Sequence, residues 1–358
     1  MTEKLSKKVA IGLSGGVDSA VAALLLQESG YDVHAFYMNN WKDLDGLCRV
    51  NNDQADAQVI ADQLGIPIEI VDFTDEYRRS VYDQMVTAFK NGHVPNPDIW
   101  CNKYIKFNVF FDYINRKGYD FLATGHYAQI NHQNHLLRGV DPKKDQSYFL
   151  CAIDQRYLSR LIFPLGSLTK KSVRNTAKEN DLIVADKKDS VGVCFVGPKS
   201  FNHFLKSQLL YKPGEIKLED GKVVGQHDGI IYYTLGQRQG ISVGGVKGYP
   251  EKPWYVIKKD KQRNVLVISQ NSKHEWLKVK KMICDEVNWL TKPIINKPLT
   301  CQIRHGGPSM DVTVQPFGDQ IQIEFDDPIY CVSTGQWSAL YLNNQCVGGA
   351  KIIKVDDK

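Results

Sequence analysis

The sequence predicts an α/β protein: a doubly wound parallel sheet, then a small, mainly β central domain, then a C-terminal antiparallel β-barrel. Three observations carry this. Strand and helix signals alternate from residue 8 to residue 124, the rhythm of a parallel sheet covered on both faces. From about residue 212 glycine, tyrosine and β-branched residues take over. Beyond residue 275, short strands recur between turns, as in a barrel. With 358 residues the chain can hold two or three domains, since single cores rarely grow past about 250–300 residues. The expected boundaries are 1–210, 211–273 and 274–358.

The elements follow in order. Residues 8–13 form a short apolar strand, and a Gly/Ser loop leads into a helix over 19–29 with Ala20, Ala23, Leu24 and Leu25 at helical spacing. Strands at 32–38 and 68–72 bracket a helix at 52–64, and a long helix covers 74–90. A further helix at 102–117 precedes a strand at 120–124. In the central segment a turn sits at Asp220 and Gly221, and strands at 254–257 and 265–269 flank a charged turn at 258–264. The barrel strands are expected at 301–305, 311–315, 320–325, 338–341 and 346–353.

Composition narrows the setting. A net charge of +5 suits a polyanionic partner and equally suits a surface of solvated lysines. The polar, lysine-rich start contains Glu3, and the apolar stretch after it is too short for a signal peptide. No run approaches the ~18 apolar residues of a membrane span. A cytoplasmic location, with no membrane partner, is therefore expected. There the eight cysteines are expected as thiols, most of them buried in cores, and without a CxxC pair no structural zinc is expected.

The strongest local signal is the loop Gly12-Leu13-Ser14-Gly15-Gly16-Val17-Asp18-Ser19, between the first strand and the first helix. Adjacent glycines let the backbone close around an anion, and the helix start offers unpaired N–H groups and the positive end of its dipole. Ser14 and Ser19 add hydroxyls. The loop lacks the lysine of a Walker A site and the G-x-G-x-x-G spacing of a dinucleotide fold. A bare Gly-Gly would also serve as a helix cap without ligand.

Two cysteines lie in distinctive surroundings. Cys101 follows Asn96-Pro97-Asp98-Ile99-Trp100, a segment pinned by prolines, and is expected at or just before a helix start, where the dipole lowers a thiol pKa. A packed cysteine in a capped loop fits that segment as well. Cys194 follows Lys187-Lys188-Asp189-Ser190-Val191-Gly192-Val193, a stretch that suits an accessible, electropositive thiol or, taken alone, a buried strand.

The SGGVDS string resembles the PP-loop of ATP pyrophosphatases, of the adenine nucleotide α-hydrolase-like fold. Taken together, the segments around Cys101 and Cys194 resemble the PNPDxxCN and KKDSTGICFIG motifs of the tRNA-specific 2-thiouridylase family, with Val191 where threonine is usual. Ala123-Thr124-Gly125-His126-Tyr127-Ala128, Lys144-Asp145-Gln146-Ser147-Tyr148-Phe149-Leu150, Thr234-Leu235-Gly236-Gln237-Arg238, residues 333–336 and Gly348-Gly349 match further motifs of that family, from residue 8 to 353.

The resemblance implies ATP with Mg²⁺ as cofactor and the wobble uridine of a tRNA anticodon loop as target. It places the phosphates on Gly12, Leu13, Ser14, Gly15, Gly16, Val17, Asp18 and Ser19, with Met38 and Gly125 near adenosine and Asp18 as a magnesium carboxylate. Asn96, Pro97 and Asp98 would meet the target base, Asp98 as an orienting or acid–base group. Lys144, Asp145, Gln146, Arg304 and His305 would contact tRNA, although Arg304-His305-Gly306-Gly307 departs from the family's more basic pattern. Cys194 would carry a persulfide loaded by a sulfur donor, such as a cysteine desulfurase or sulfur-relay protein. Cys101 would be the second thiol.

Overall fold

The structure, a computed structural model, describes residues 6–41, 50–188, 206 and 212–356. Cys194 and the segment around it lie outside the described residues. The first sheet is built from β1 (Lys8–Gly12), β2 (Asp32–Asn39), β3 (Ile68–Asp72) and β4 (Phe121–Ala123). A hairpin of β5 (Ala128–Ile130) and β6 (Leu136–Arg138) follows, and β7 (Leu161–Ile162) returns to the sheet. The sheet order is β3-β2-β1-β4-β7, and every pairing in it is parallel.

Helices cover both faces, as a strand apolar on both sides requires. Val9 and Ile11 of β1 point to one face, packing with α1 (Val17–Glu28), α2 (Val50–Leu64) and α7 (Lys170–Glu179). Ala10 and Phe36 point to the other face, an aromatic core supplied by the helices between residues 74 and 116. There α3 (Thr74–Tyr77) runs through a π-helical stretch into α4 (Asp83–Lys90), and α5 (Pro97–Trp100) runs through another, Cys101–Val109, into α6 (Phe110–Arg116). This last helix starts five residues before the expected 102. Asn96 caps it, its Oδ1 accepting from Ile99 N at 3.3 Å, and Pro97 needs no N–H at the first helical position.

The central domain pairs β8 (Gly214–Lys217), β9 (Val223–His227), β10 (Tyr255–Asp260) and β11 (Val265–Ser269) in the order β10-β11-β8-β9. The barrel consists of β12 (Lys278–Trp289), β13 (Pro298–Gln302), β14 (Met310–Phe317), β15 (Gln320–Tyr330), β16 (Trp337–Leu342) and β17 (Gln345–Val355), closed by the pairing of β12 with β17. Two expectations need correction here. Lysine-rich β12 opens the barrel although no strand was expected there, and Arg304 and His305 lie in the turn after β13 rather than in a strand. The hairpin β5–β6 adds to the barrel edge through Gln345 and Leu137, so chain that follows β4 of the parallel sheet is built into the barrel's sheet.

Candidate functional site

Strand order decides where a ligand can sit. The chain leaves β1 for β2 on one side and β4 on the other, and an open parallel sheet binds ligands outside its carboxyl ends at such a switch point. Residues 12–19 run from the last residue of β1 through a short loop into the first turn of α1, and the turn after β4 holds Gly125. They touch: a Cβ on Gly125 would lie 2.9 Å from both Asp18 C and Ser19 N. Gly12 backs onto Met38, whose Cε would be 3.4 Å from an added Cβ. Gly15 has φ +74°, and a Cβ there would meet the Asp53 carbonyl oxygen at 2.2 Å. Only glycine fits both that backbone angle and that approach.

Side chains then shape the loop. Ser19 Oγ accepts from Ser14 N at 3.1 Å and donates to Gly16 O at 3.0 Å, closing the turn upon itself. Asp18 receives Tyr127 OH at 2.7 Å and Lys170 Nζ at 2.7 and 2.8 Å. Lys187 Nζ donates to Gly15 O at 2.9 Å, Asp53 Oδ1 at 2.7 Å and Asp56 Oδ2 at 2.6 Å. Burial opposes the charge on Lys187, but its hydrogen bonds to the Asp53 and Asp56 carboxylates, with their charge, outweigh it and raise its pKa. Composition gave no sign of Tyr127, Lys170, Asp53 or Asp56; only Tyr127 and Lys187 fell inside quoted motifs.

The donor set suits the polyphosphate and metal implied above. Glycine backbone, two hydroxyls and the start of α1 face one place, the usual cradle for phosphate. Mg²⁺ takes one or two carboxylates and completes its shell with phosphate oxygens and water, a demand Asp18 fits. Among the described residues no group of three or more His, Cys, Asp or Glu forms an all-protein metal cage.

The segment that leads to Cys101 is a loop over residues 91–96 running into α5. It is splinted by the barrel. Val94 N donates to Thr334 O at 2.8 Å, and His93 Nδ1 lies 2.8 Å from Thr334 Oγ1. Gln336 Nε2 donates to Val94 O at 3.0 Å, while its Oε1 accepts from Asn96 Nδ2 at 3.5 Å. Gly335, at φ +93°, lets the two backbones approach; a Cβ would be 2.9 Å from His93 Cβ. Asn102, buried, donates from Nδ2 to Asp98 O at 3.0 Å.

Cys101 is buried and lies one turn inside the helix, not at its start. The dipole acts mainly within the first turn, so the expected lowering of this thiol by a helix end does not follow. Instead Cys101 opens a π-helical stretch in which Phe107 departs from helical angles, a widening often found at functional sites. Of the other described thiols Cys331 is partly buried, while Cys151, Cys284, Cys301 and Cys346 are fully buried, and burial raises each of these four pKa values, at Cys284 and Cys346 to about 12. These four are core thiols.

Asp98 keeps contact with solvent, yet the surrounding protein desolvates its carboxyl and raises its pKa, against the pull of Lys106 and His305. His305 is lowered first by desolvation, with Asp145 and Asp98 opposing and Lys144 assisting. Its ring lies 4.6 Å from that of Phe149. His305 is thus close enough to Asp98 and to Lys144, which come from two other segments, to sense the charge of each. Lys106 also acts on His126, which burial holds well below its ordinary pKa and therefore neutral.

Asp145 and Gln146 have other occupations. Asp145 is buried; Oδ2 accepts from Arg138 Nη1 at 2.9 Å and Ser147 Oγ at 3.1 Å, and Oδ1 from Gly139 N at 3.0 Å and Ser147 N at 3.1 Å. Arg138 continues to Gln302 and Ser309 and stacks 3.5 Å from the Tyr341 ring centre. Asp145 thereby ties the hairpin to the barrel. Gln146 Oε1 accepts from Tyr127 N at 3.0 Å, fixing the residue that holds Asp18. Arg304 is exposed.

Three family models match in sequence: a tRNA methyl transferase HUP domain over 7–198, a tRNA methyl transferase PRC-barrel domain over 202–270, and an aminomethyltransferase beta-barrel domain over 279–352. The chain is 42% identical to the tRNA-specific 2-thiouridylase MnmA of Pseudomonas fluorescens over 97% of this chain and 94% of that one. It is 43% identical to MnmA 1 of Geobacillus kaustophilus, over 98% and 97%. To MnmA of Francisella tularensis it is 42% identical, over 97% and 99%.

Proposed function

The chain belongs to the tRNA-specific 2-thiouridylase family, and from that premise we propose that it converts the wobble uridine of a tRNA to 2-thiouridine by adenylation and persulfide transfer. Uridine's C2 oxygen is a poor leaving group. Its attack on the α-phosphate of ATP forms a C2–O–AMP bond and expels pyrophosphate. Sulfur from a Cys194 persulfide then adds at C2, and AMP leaves with the oxygen. Cys101 either attacks the persulfide first, freeing sulfide, or resolves the bond after transfer; each route ends with a Cys101–Cys194 disulfide that an external reductant reopens.

The observation that carries this reading is Lys187. One ammonium joins the Gly15 carbonyl of the phosphate loop to the segment that runs on to Cys194. Cys194 is seven positions after Lys187, a reach of at most ~25 Å. The phosphates would lie on residues 12–19, with Lys170 and Asp18 positioned to exchange their mutual contact for phosphate and metal. Met38 and Gly125 would border adenosine. Asn96, Pro97 and Asp98 would receive the base, and Lys144, Arg304 and His305 the RNA backbone. A loop base can be splayed into such a pocket at modest unstacking cost. Mg²⁺, held by Asp18, would neutralise charge on the leaving pyrophosphate. Methyl transfer, which the family-model descriptions name, would use neither a pyrophosphate loop nor a thiol pair.

The test is direct. Purified protein, ATP, a cysteine desulfurase with free cysteine as the persulfide donor, a thiol reductant and unmodified tRNA are incubated, and the nucleosides are analysed by mass spectrometry. The proposal expects 2-thiouridine at the wobble position, with AMP and pyrophosphate formed in step. A methylated nucleoside, or no ATP consumption on tRNA addition, would refute it.

A further inference from the structure

A second gathering of cations lies away from the phosphate loop. A cleft of about 470 Å³ opens between the end of α4 and the central domain, lined by Lys90, Lys212, Lys259 and Lys261 together with Ile230 and Ile231. No carboxylate is among its described lining residues. Lys261 is seated by design of the backbone: Gly92 turns with φ +73°, and a Cβ there would collide with Lys261 Cε and Nζ at 2.5 Å. Its Nζ donates to Asn91 O at 3.1 Å, at the carbonyl end of α4, where a cation is favoured. Lys259 Nζ donates to Tyr233 O at 2.6 Å. Burial and then the charge of Lys261 lower its pKa to about 8, and Lys259 in turn acts on His227 of β9.

Lys259 and Lys261 stand close enough for one charge to oppose the other beside Ile230 and Ile231, an arrangement that an oxyanion relieves. Lysine binds phosphate as a point charge without demanding a fixed geometry. Location adds to this. Gly92 is four residues before Asn96, a reach of at most ~14 Å.

We infer that this interdomain cleft is a second phosphate-binding site, filled by a backbone phosphate of the RNA whose base enters at residues 96–98 or by free inorganic phosphate. The RNA source rests on the function proposed above; the phosphate chemistry does not.

The full-length protein is treated with an amine-acylating reagent at pH 8, and modification of Lys259 is read by peptide mass spectrometry with no addition, with tRNA, or with inorganic phosphate. Protection of about fivefold or more by tRNA alone supports the RNA source; protection by phosphate as well supports the free anion. Phosphate protection in a protein that fails to bind tRNA would sustain the cleft and defeat the tRNA reading. In parallel, Lys212→Ala with Lys261→Ala is expected to weaken tRNA binding roughly tenfold at physiological salt and to reduce the salt slope by about one contact, with an unchanged melting curve. Unaltered acylation of Lys259 under saturating tRNA and millimolar phosphate, with tRNA affinity unchanged in the double variant, overturns the inference.

Discussion

Gly15→Ala puts the phosphate loop under a strain that can be worked out. At φ +74° an L side chain costs about 1–2 kcal/mol. The added Cβ would also stand 2.2 Å from the Asp53 carbonyl oxygen, where real Cβ contacts stay above 3.0 Å. Backbone must therefore move by most of an ångström at the loop, at the start of α2, or both. Lys187 bridges those two places, so its contacts shift as well. Misplacing reacting groups by about 1 Å costs on the order of 100-fold in rate. The same strain lowers the melting temperature by only about 2–8 °C, at 2–4 °C per kcal/mol for a domain of this size. The assay is tRNA-dependent pyrophosphate release beside a thermal melt, with Gly244→Ala as control because a Cβ there meets nothing within 4 Å. Release within threefold of wild type in Gly15→Ala would refute the claim that this backbone shape is the phosphate site.

Two further substitutions separate roles. Asp98 has a folded pKa raised above 3.8 by desolvation, so its ionised form costs stability once pH exceeds that raised value, and the cost vanishes well below 3.8. Asp98→Asn is expected to melt slightly higher than wild type at pH 7, with the gap closing toward pH 3–4, while base-dependent turnover falls; an equal or lower melting temperature at pH 7 would contradict this. Asp145→Ala strips Arg138 of its buried partner and is expected to cost about 3 kcal/mol, seen in a denaturant melt. A melt unchanged from wild type would contradict this.

Much of the fold was legible because periodic strands and helices dominate it. The apolar runs of β1, β2 and β3 alternate with helices, and the SGGVDS loop falls where strand meets helix. What escaped was short or cooperative. The hairpin strands β5 and β6 have three residues each, too few for a period, and owe their pairing to the barrel edge. Lysine-rich β12 reads as surface until its neighbours bury Val279, Met282 and Cys284. The helix start at Asn96 was misplaced because Pro97 reads as a breaker when it stands at a first helical position. The cleft of lysines is a meeting of α4 with β10 and the chain before β8, and no local pattern announces it.

The central claim is that two thiols 93 residues apart in sequence act on one carbon. The measurement is a single-turnover reaction without reductant, using protein loaded with persulfide on Cys194, followed by thiol blocking and peptide mapping. Wild type is expected to accumulate a Cys101–Cys194 disulfide in proportion to 2-thiouridine formed. Cys194→Ser is expected to accept no persulfide at that position and to form no product, and Cys101→Ser to hold the persulfide without turning over. Product formed while both thiols remain reduced, or full activity in either serine variant, would contradict the account.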